Sequence, residues 1–212
     1  MLDRLKISVV GFTGVGKTSI LQRFIYDSSF VSTPTLGVDY FTYDYKYNGQ
    51  YTSLHNGLIK FSIWDLAGRE EFRKITRPYL SSSQGLILVF DLNNPESFTK
   101  LDEWLTDAKI YFSFKNEKNN NLTGMLLGNK KDLNPLVSSD KAQEWAQKNG
   151  FKYFEVSTKT NTSTVRTAIN DFFHTMVDVY HDQIKREPAI NLVNSDTNSN
   201  NNNFKYKDCI IL

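Results

Sequence analysis

The sequence predicts an α/β fold: a mostly parallel sheet with helices on both faces and one antiparallel edge strand. Three observations carry that expectation. Short apolar runs alternate with amphipathic stretches, as strand–helix–strand units do. The apolar runs are strand-length and bounded by polar or turn-forming residues. Two neighbouring strands are joined through turn dipeptides, which makes a hairpin and supplies the antiparallel edge. In chain order, Leu5 to Val10 reads as a buried strand, and Ser19 to Tyr26 as a helix, because Ile20/Phe24 and Leu21/Ile25 recur at spacing four. Tyr40 to Tyr47 is aromatic and β-prone, and Leu58 to Trp64 is the next strand. Asn48-Gly49 and Asn56-Gly57 are both hairpin turn signals, which leaves the register of that loop open. Leu86 to Asp91, Met125 to Asn129 and Tyr153 to Val156 are three further strands. Pro95 to Tyr111, Ser138 to Lys148 and Thr162 to Arg186 are helical, with Asn94-Pro95 as an N-cap followed by a first-turn proline.

After Glu187-Pro188 the composition changes: residues 189–203 hold seven Asn among Ser, Asp and Thr. Such a segment cannot bury enough apolar area to offset backbone ordering and reads as a disordered tail. The expected organisation is a folded domain over 1–187, an Asn-rich tail over 188–208 and a separate signal in 209–212. Asn119 to Asn121 is a smaller polar tract expected in a surface loop.

With 212 residues, one such domain needs no disulfide or metal staple. The net charge of +2 is too balanced for bulk nucleic-acid binding. A single Cys excludes an intramolecular disulfide framework and fits a reducing compartment. No apolar run approaches the roughly 18–20 residues of a membrane span. The start, with Asp3, Arg4 and Lys6 beside few apolar residues, is no signal peptide, and Leu2 excludes myristoylation.

Gly11-Phe12-Thr13-Gly14-Val15-Gly16-Lys17-Thr18-Ser19 contains GxxxxGK(S/T) between an expected strand and an expected helix. Glycines let backbone N–H groups converge on phosphate oxygens, and the helix start adds its positive dipole end. Lys17 can neutralise β- and γ-phosphates, and the Thr18 hydroxyl can ligate Mg²⁺. Asn129-Lys130-Lys131-Asp132 follows an apolar strand, at the strand end where ligands bind in doubly wound sheets. The Asp132 carboxylate can accept from guanine N1–H and the exocyclic amine, a pattern adenine lacks. Asn129 and Lys130 would brace that loop and cover the base.

With Glu155-Val156-Ser157-Thr158-Lys159 after the last strand, the sequence resembles the Ras superfamily of small GTPases, whose P-loop NTPase G domain ends its sheet on an ETSAK-like loop. The resemblance implies a backbone N–H to guanine O6 from Ser157, Thr158 and Lys159, with Thr158 where Ala is usual. Trp64-Asp65-Leu66-Ala67-Gly68-Arg69-Glu70 resembles WDTAGQE of the Rab branch, and Thr35-Leu36-Gly37-Val38-Asp39-Tyr40 resembles TIGVDF. By that likeness Asp65 holds Mg²⁺ through water, the Gly68 N–H meets the γ-phosphate, and Thr35 ligates Mg²⁺ in the triphosphate state. Phe30 stands where the family stacks a ring on guanine, though a core role fits it too. Leu36 to Tyr40, with Trp64 and Tyr79, would form the effector surface, and a plain core role is open for each ring. The resemblance runs over about residues 4 to 185.

Three departures stand out. Arg69 replaces the family's water-orienting Gln, and a guanidinium has no acceptor. The Lys17 to Thr35 segment is one residue shorter than in Ras. The hairpin loop before Trp64 is longer by several residues. The chain ends Cys209-Ile210-Ile211-Leu212, a C-a-a-X signal whose final Leu predicts geranylgeranylation. The expectation is a Rab-like switch in vesicle transport that binds GTP/GDP and Mg²⁺ and hydrolyses GTP slowly. Lys17, Thr35, Gly68 and Arg69 would surround the reacting phosphate. The implied partners are an exchange factor, an activating protein, effectors and a GDP-dissociation-inhibitor-type chaperone. The implied location is the cytoplasmic face of a membrane, lipid-anchored, with a cytosolic pool. The rival is a GTP-binding interaction module without catalysis of its own. A P-loop kinase lacks a recognisable lid or acceptor site.

Overall fold

A computed structural model describes residues 4–27, 33–51, 57–113, 122–160 and 162–186. Phe30, the tail and Cys209 lie outside the described residues. Six strands form one sheet: β1 (Arg4–Val10), β2 (Val38–Lys46), β3 (Leu58–Leu66), β4 (Gly85–Asp91), β5 (Thr123–Asn129) and β6 (Lys152–Glu155). Their order is β2-β3-β1-β4-β5-β6. All neighbours are parallel except β2 and β3, which pair antiparallel from Val38↔Leu66 to Lys46↔Leu58. The expected fold class is the observed one.

The helices are α1 (Lys17–Tyr26), α2 (Arg73–Thr76), α3 (Pro95–Thr99), α4 (Leu101–Ser113), α5 (Ser139–Lys148) and α6 (Thr162–Arg186). Asn94 caps α3 as its residue type predicts, accepting from the Glu96 N–H at 3.1 Å. The single helix expected over Pro95 to Tyr111 is two. At Lys100 the N–H is shared between the carbonyls of Glu96 and Phe98, so the turn tightens and the ladder restarts at Leu101. Among the described residues no helix is long and apolar enough to cross a membrane.

The sheet separates two apolar layers. On one side α1 and α6 cover Leu5, Ile7, Phe61, Ile63 and Val89; Phe24, Phe61 and Phe173 meet there, with Phe61 stacked on Phe173 at 3.9 Å. On the other, Leu86, Leu88, Phe90 and Leu126 lie under Phe98, Trp104, Leu105 and Ala142 of α3, α4 and α5.

The hairpin does not turn at Asn48-Gly49. The Tyr47 N–H donates to the Gly57 carbonyl at 2.7 Å, which continues the strand register. Asn48-Gly49 is therefore no two-residue turn, and Asn56 lies outside the described residues. Tyr47 and Tyr51 instead reach α6: their hydroxyls donate to Asp178 and Asp182, one helical turn apart. Their rings lie on His174 and His181, with centroids 4.8 and 4.6 Å apart. The lengthened loop is thus clasped to the last helix.

Candidate nucleotide site

The site forms where β1, β3, β4 and β5 end. Gly16 has φ 95°, and a Cβ there would lie 2.4 Å from Asn129 Nδ2. A glycine is needed both for the left-handed backbone and for this close approach. Gly68 sits equally close to the first loop, since a Cβ on it would lie 2.5 Å from the Gly11 carbonyl and 2.6 Å from the Thr13 nitrogen. Gly14 also has positive φ, Val15 is buried under the loop, and Ser19 lies in the first turn of α1.

Lys17 is buried, and its amine folds back to donate to the Gly11 carbonyl at 2.9 Å and the Phe12 carbonyl at 3.1 Å. Burial pushes its pKa down to about 8, against the pull of nearby Asp65. Thr18 Oγ1 lies 2.9 Å from Thr35 Oγ1 and donates to Asp65 Oδ2. Asp65 is fully buried, and burial raises its carboxyl to about 6, opposed by the Thr18 hydrogen bond and Lys17. Among the described residues its Oδ1 has no hydrogen-bond partner. A buried carboxylate oxygen without a donor, beside two converging hydroxyls, fits a hydrated hard cation: oxygen ligands and retained waters are what Mg²⁺ takes. Between these groups, Thr33–Thr35 and Gly68–Arg69 is a cavity of about 140 Å³. A larger one, about 900 Å³, lies where β5 begins, beside α4 and α6. That is the wrong end of a doubly wound sheet for a ligand.

The second loop is built around the first. Asn129 is buried and donates to the Val15 carbonyl at 2.9 Å. Lys130 adopts φ 66° and pairs with Asp91 at 2.8 Å. Asp132 is exposed and accepts from Ser157 Oγ at 2.6 Å. Ser157 Oγ in turn accepts from the Lys159 N–H at 3.2 Å. Arg23 of α1 holds the Thr158 carbonyl through two donors, at 2.8 and 2.6 Å. The structure thus brings together every expected loop it describes.

Arg69 is extended, at φ −80° and ψ 139°, and its guanidinium meets Glu71 at 3.4 Å. Beyond it, Arg73 of α2 and the following Arg77 are tied to α4: Arg73 pairs with Glu103 and Asp107, each at 2.7 Å, and Arg77 pairs with Asp107 at 3.0 Å. This clamp was missed in the sequence, although Arg73/Arg77 and Glu103/Asp107 share helical spacing and opposite sign. Asp91 and Arg23 were also missed, and neither carries a local signal. On the outer face Leu36 and Asp39 are exposed, the Gly37 carbonyl accepts from the Ala67 N–H, and Val38 opens β2. The Tyr40 and Trp64 rings are 4.8 Å apart, and the Trp64 and Tyr79 rings 5.0 Å. The rings touch in a row: Tyr40 is exposed, whereas Trp64 and Tyr79 are half-buried and pack against the apolar layer beneath α3, α4 and α5.

A glycine-rich loop leading into a helix, with a cation-ready carboxylate at the next strand end, defines a nucleotide-binding α/β protein. The Ras family profile matches residues 6–181. The chain is 38% identical over 163 residues to Ras-related protein Rab-18 of Lymnaea stagnalis, covering 76% of this chain and 75% of that protein. It is 35% identical over 190 residues to Ras-related protein Rab-3B of Homo sapiens, covering 87% and 80%. It is 33% identical over 189 residues to GTP-binding protein YPTM2 of Zea mays, covering 87% and 83%. The chain belongs to the Ras family, as a Rab-like small GTPase and nucleotide-dependent switch.

Proposed function

We propose that this chain is a guanine-nucleotide switch of vesicle transport, with slow intrinsic hydrolysis and a prenylated C-terminus. The observation that carries the nucleotide part is the Thr18–Asp65–Thr35 cluster beside Lys17, with one buried carboxylate oxygen that has no donor among the described residues. Thr18 and Thr35 would ligate Mg²⁺ directly and Asp65 through water. Bound Mg²⁺ would supply neutralising charge to the phosphates. Lys17 would exchange its two carbonyl partners for β- and γ-phosphate oxygens. The Gly68 N–H would donate to the γ-phosphate, and Thr35 and Gly68 together would couple that phosphate to both switch segments. Asp132, oriented by Ser157, would accept from guanine, with Asn129 and Lys130 bracing the loop. The Ser157–Lys159 backbone would face the base carbonyl, and Phe30 its ring.

Hydrolysis requires a water aligned on the γ-phosphate, and Arg69 cannot accept its proton. Arg69→Gln should therefore raise the single-turnover rate; a wild-type rate equal to or above it overturns this reading. The specific observation for the rival, a binding module without catalysis, is the same Arg69. An activating protein that brings its own glutamine would still turn the switch off.

Asp132→Asn should weaken GTP and GDP and favour xanthine nucleotides, measured as off-rates. Equal wild-type affinity for GTP and ATP overturns the guanine assignment. Cys209 would carry a geranylgeranyl group, the target of a GDP-dissociation-inhibitor-type chaperone. One lipid with only Lys205 and Lys207 beside it binds reversibly, which gives a membrane and a cytosolic pool. Cys209→Ser should abolish the membrane fraction, and persistence there would point to protein partners. Exchange factor and effectors would meet Leu36–Tyr40, Trp64 and Tyr79.

A further inference from the structure

We infer that Arg69 is a counter-charge selective for the terminal phosphate: in the triphosphate form its guanidinium leaves Glu71 and pairs with the γ-phosphate across the cavity. The chain would then hold a nucleoside triphosphate more tightly than the diphosphate. This rests on the nucleotide reading above and adds a role that the water-orienting residue it replaces does not have.

Four observations carry it. First, Arg69 lines the same cavity as Lys17, Thr18 and Thr35. Second, its backbone is fixed at the lip, because Gly68 is seated against Gly11 and Thr13 with no room for a Cβ. Third, the pair it makes is easily surrendered. Arg69 and Glu71 are separated by 3.4 Å, with side chains 46% and 63% exposed. An exposed pair at that distance is weak, whereas a guanidinium fork on phosphate makes two charge-assisted bonds. Fourth, the two cations of the cavity differ in depth. Lys17 is buried in the loop, within reach of phosphates common to both nucleotides. Arg69 directly follows Gly68, whose N–H the nucleotide reading above assigns to the γ-phosphate.

The same geometry makes Glu71 a competitor. It holds the guanidinium when the cavity offers no γ-phosphate, and it must be displaced when one arrives. Selectivity therefore has two independent handles, one on each residue.

The test is equilibrium binding of GDP and of a non-hydrolysable GTP analogue, both with Mg²⁺, to the full chain. Wild type should prefer the analogue, and the preference should shrink as salt rises, since the Arg69 end is exposed. Arg69→Ala and Arg69→Gln should each lose about tenfold in analogue affinity while GDP stays within about twofold. Glu71→Gln should move the other way, tightening the analogue by about two- to threefold with GDP unchanged. A parallel change for both nucleotides in the Arg69 variants, or no gain in Glu71→Gln, overturns the assignment while leaving the nucleotide site intact. Failure of wild type to bind either nucleotide overturns both.

Discussion

The antiparallel pair β2–β3 has two ends that treat polar groups in opposite ways. At the Val38/Leu66 end, the groups face a cavity. Among the described residues one Asp65 oxygen has no partner, and the Lys17 amine occupies carbonyls of its own loop. At the Lys46/Leu58 end, the chain itself meets the two tyrosine hydroxyls. Tyr47 and Tyr51, only 1% and 5% exposed, donate to Asp178 and Asp182 of α6. Burying an unmet polar group costs free energy, so a fold tolerates one only where something else completes it. The incomplete end is the one that needs a ligand; the complete end is a structural clasp.

Removing Lys17 should break the comparison most strongly. Lys17→Ala should lower GDP and GTP affinity about 100-fold or more, since a charge-assisted contact to each phosphate disappears. It should not lower the melting temperature of the unliganded protein, because a buried amine with a depressed pKa is lost with it. Thermal shifts with and without GDP check both halves.

Next in size is the clasp itself. Tyr47→Phe leaves Asp178 without its hydroxyl donor and should cost about 1–2 kcal/mol in urea denaturation. Nucleotide off-rates should stay within about twofold if the two ends are independent. A large change in off-rate would mean that the hairpin transmits strain along β2.

The smallest effect is the pH profile of the unliganded fold, which the two ends push in opposite directions. Lys17 sits at about 8, below its ordinary 10.5, so burial of its charge opposes folding below pH 8 and that opposition fades as pH rises to 10.5. Tyr47 is raised to about 12 by burial and then by Asp178; Tyr51 is raised to about 12 by its bond to Asp182 and then by burial. Their contribution is complete below pH 10 and is lost as pH rises through 12. Stability should therefore rise and then fall through the alkaline range. Lys17→Met should flatten the rise, and Tyr47→Phe with Tyr51→Phe should flatten the fall, with tyrosinate absorbance following the second step.

The incomplete end was legible in the sequence and the complete end was not. A phosphate loop carries its chemistry in contiguous residues, so spacing alone exposes Gly11 to Thr18, and the strand before it fixes the context. Asn129 to Asp132 was legible for the same reason. The clasp joins residues 131 apart, and a Tyr or Asp at spacing four means nothing until the other pair is placed opposite it. The break at Lys100 carries no Gly or Pro, so periodicity ran through it. The Asn48-Gly49 signal failed because pairing of Tyr47 and Tyr51 with α6 outweighed local turn preference.

Phe61 and Phe173 lie face to face, but they leave the ribosome far apart in time. At ~5–20 residues per second the wait between them is on the order of 10 s. Throughout that interval β1 and β3 have been made while the helix that covers their aromatic face has not. A nascent chain in this state presents Phe24, Phe61 and Ile63 to solvent, a surface suited to a chaperone and prone to self-association. Translation speed over the segment encoding β4 to α6 therefore sets how long each new molecule stays exposed to aggregation.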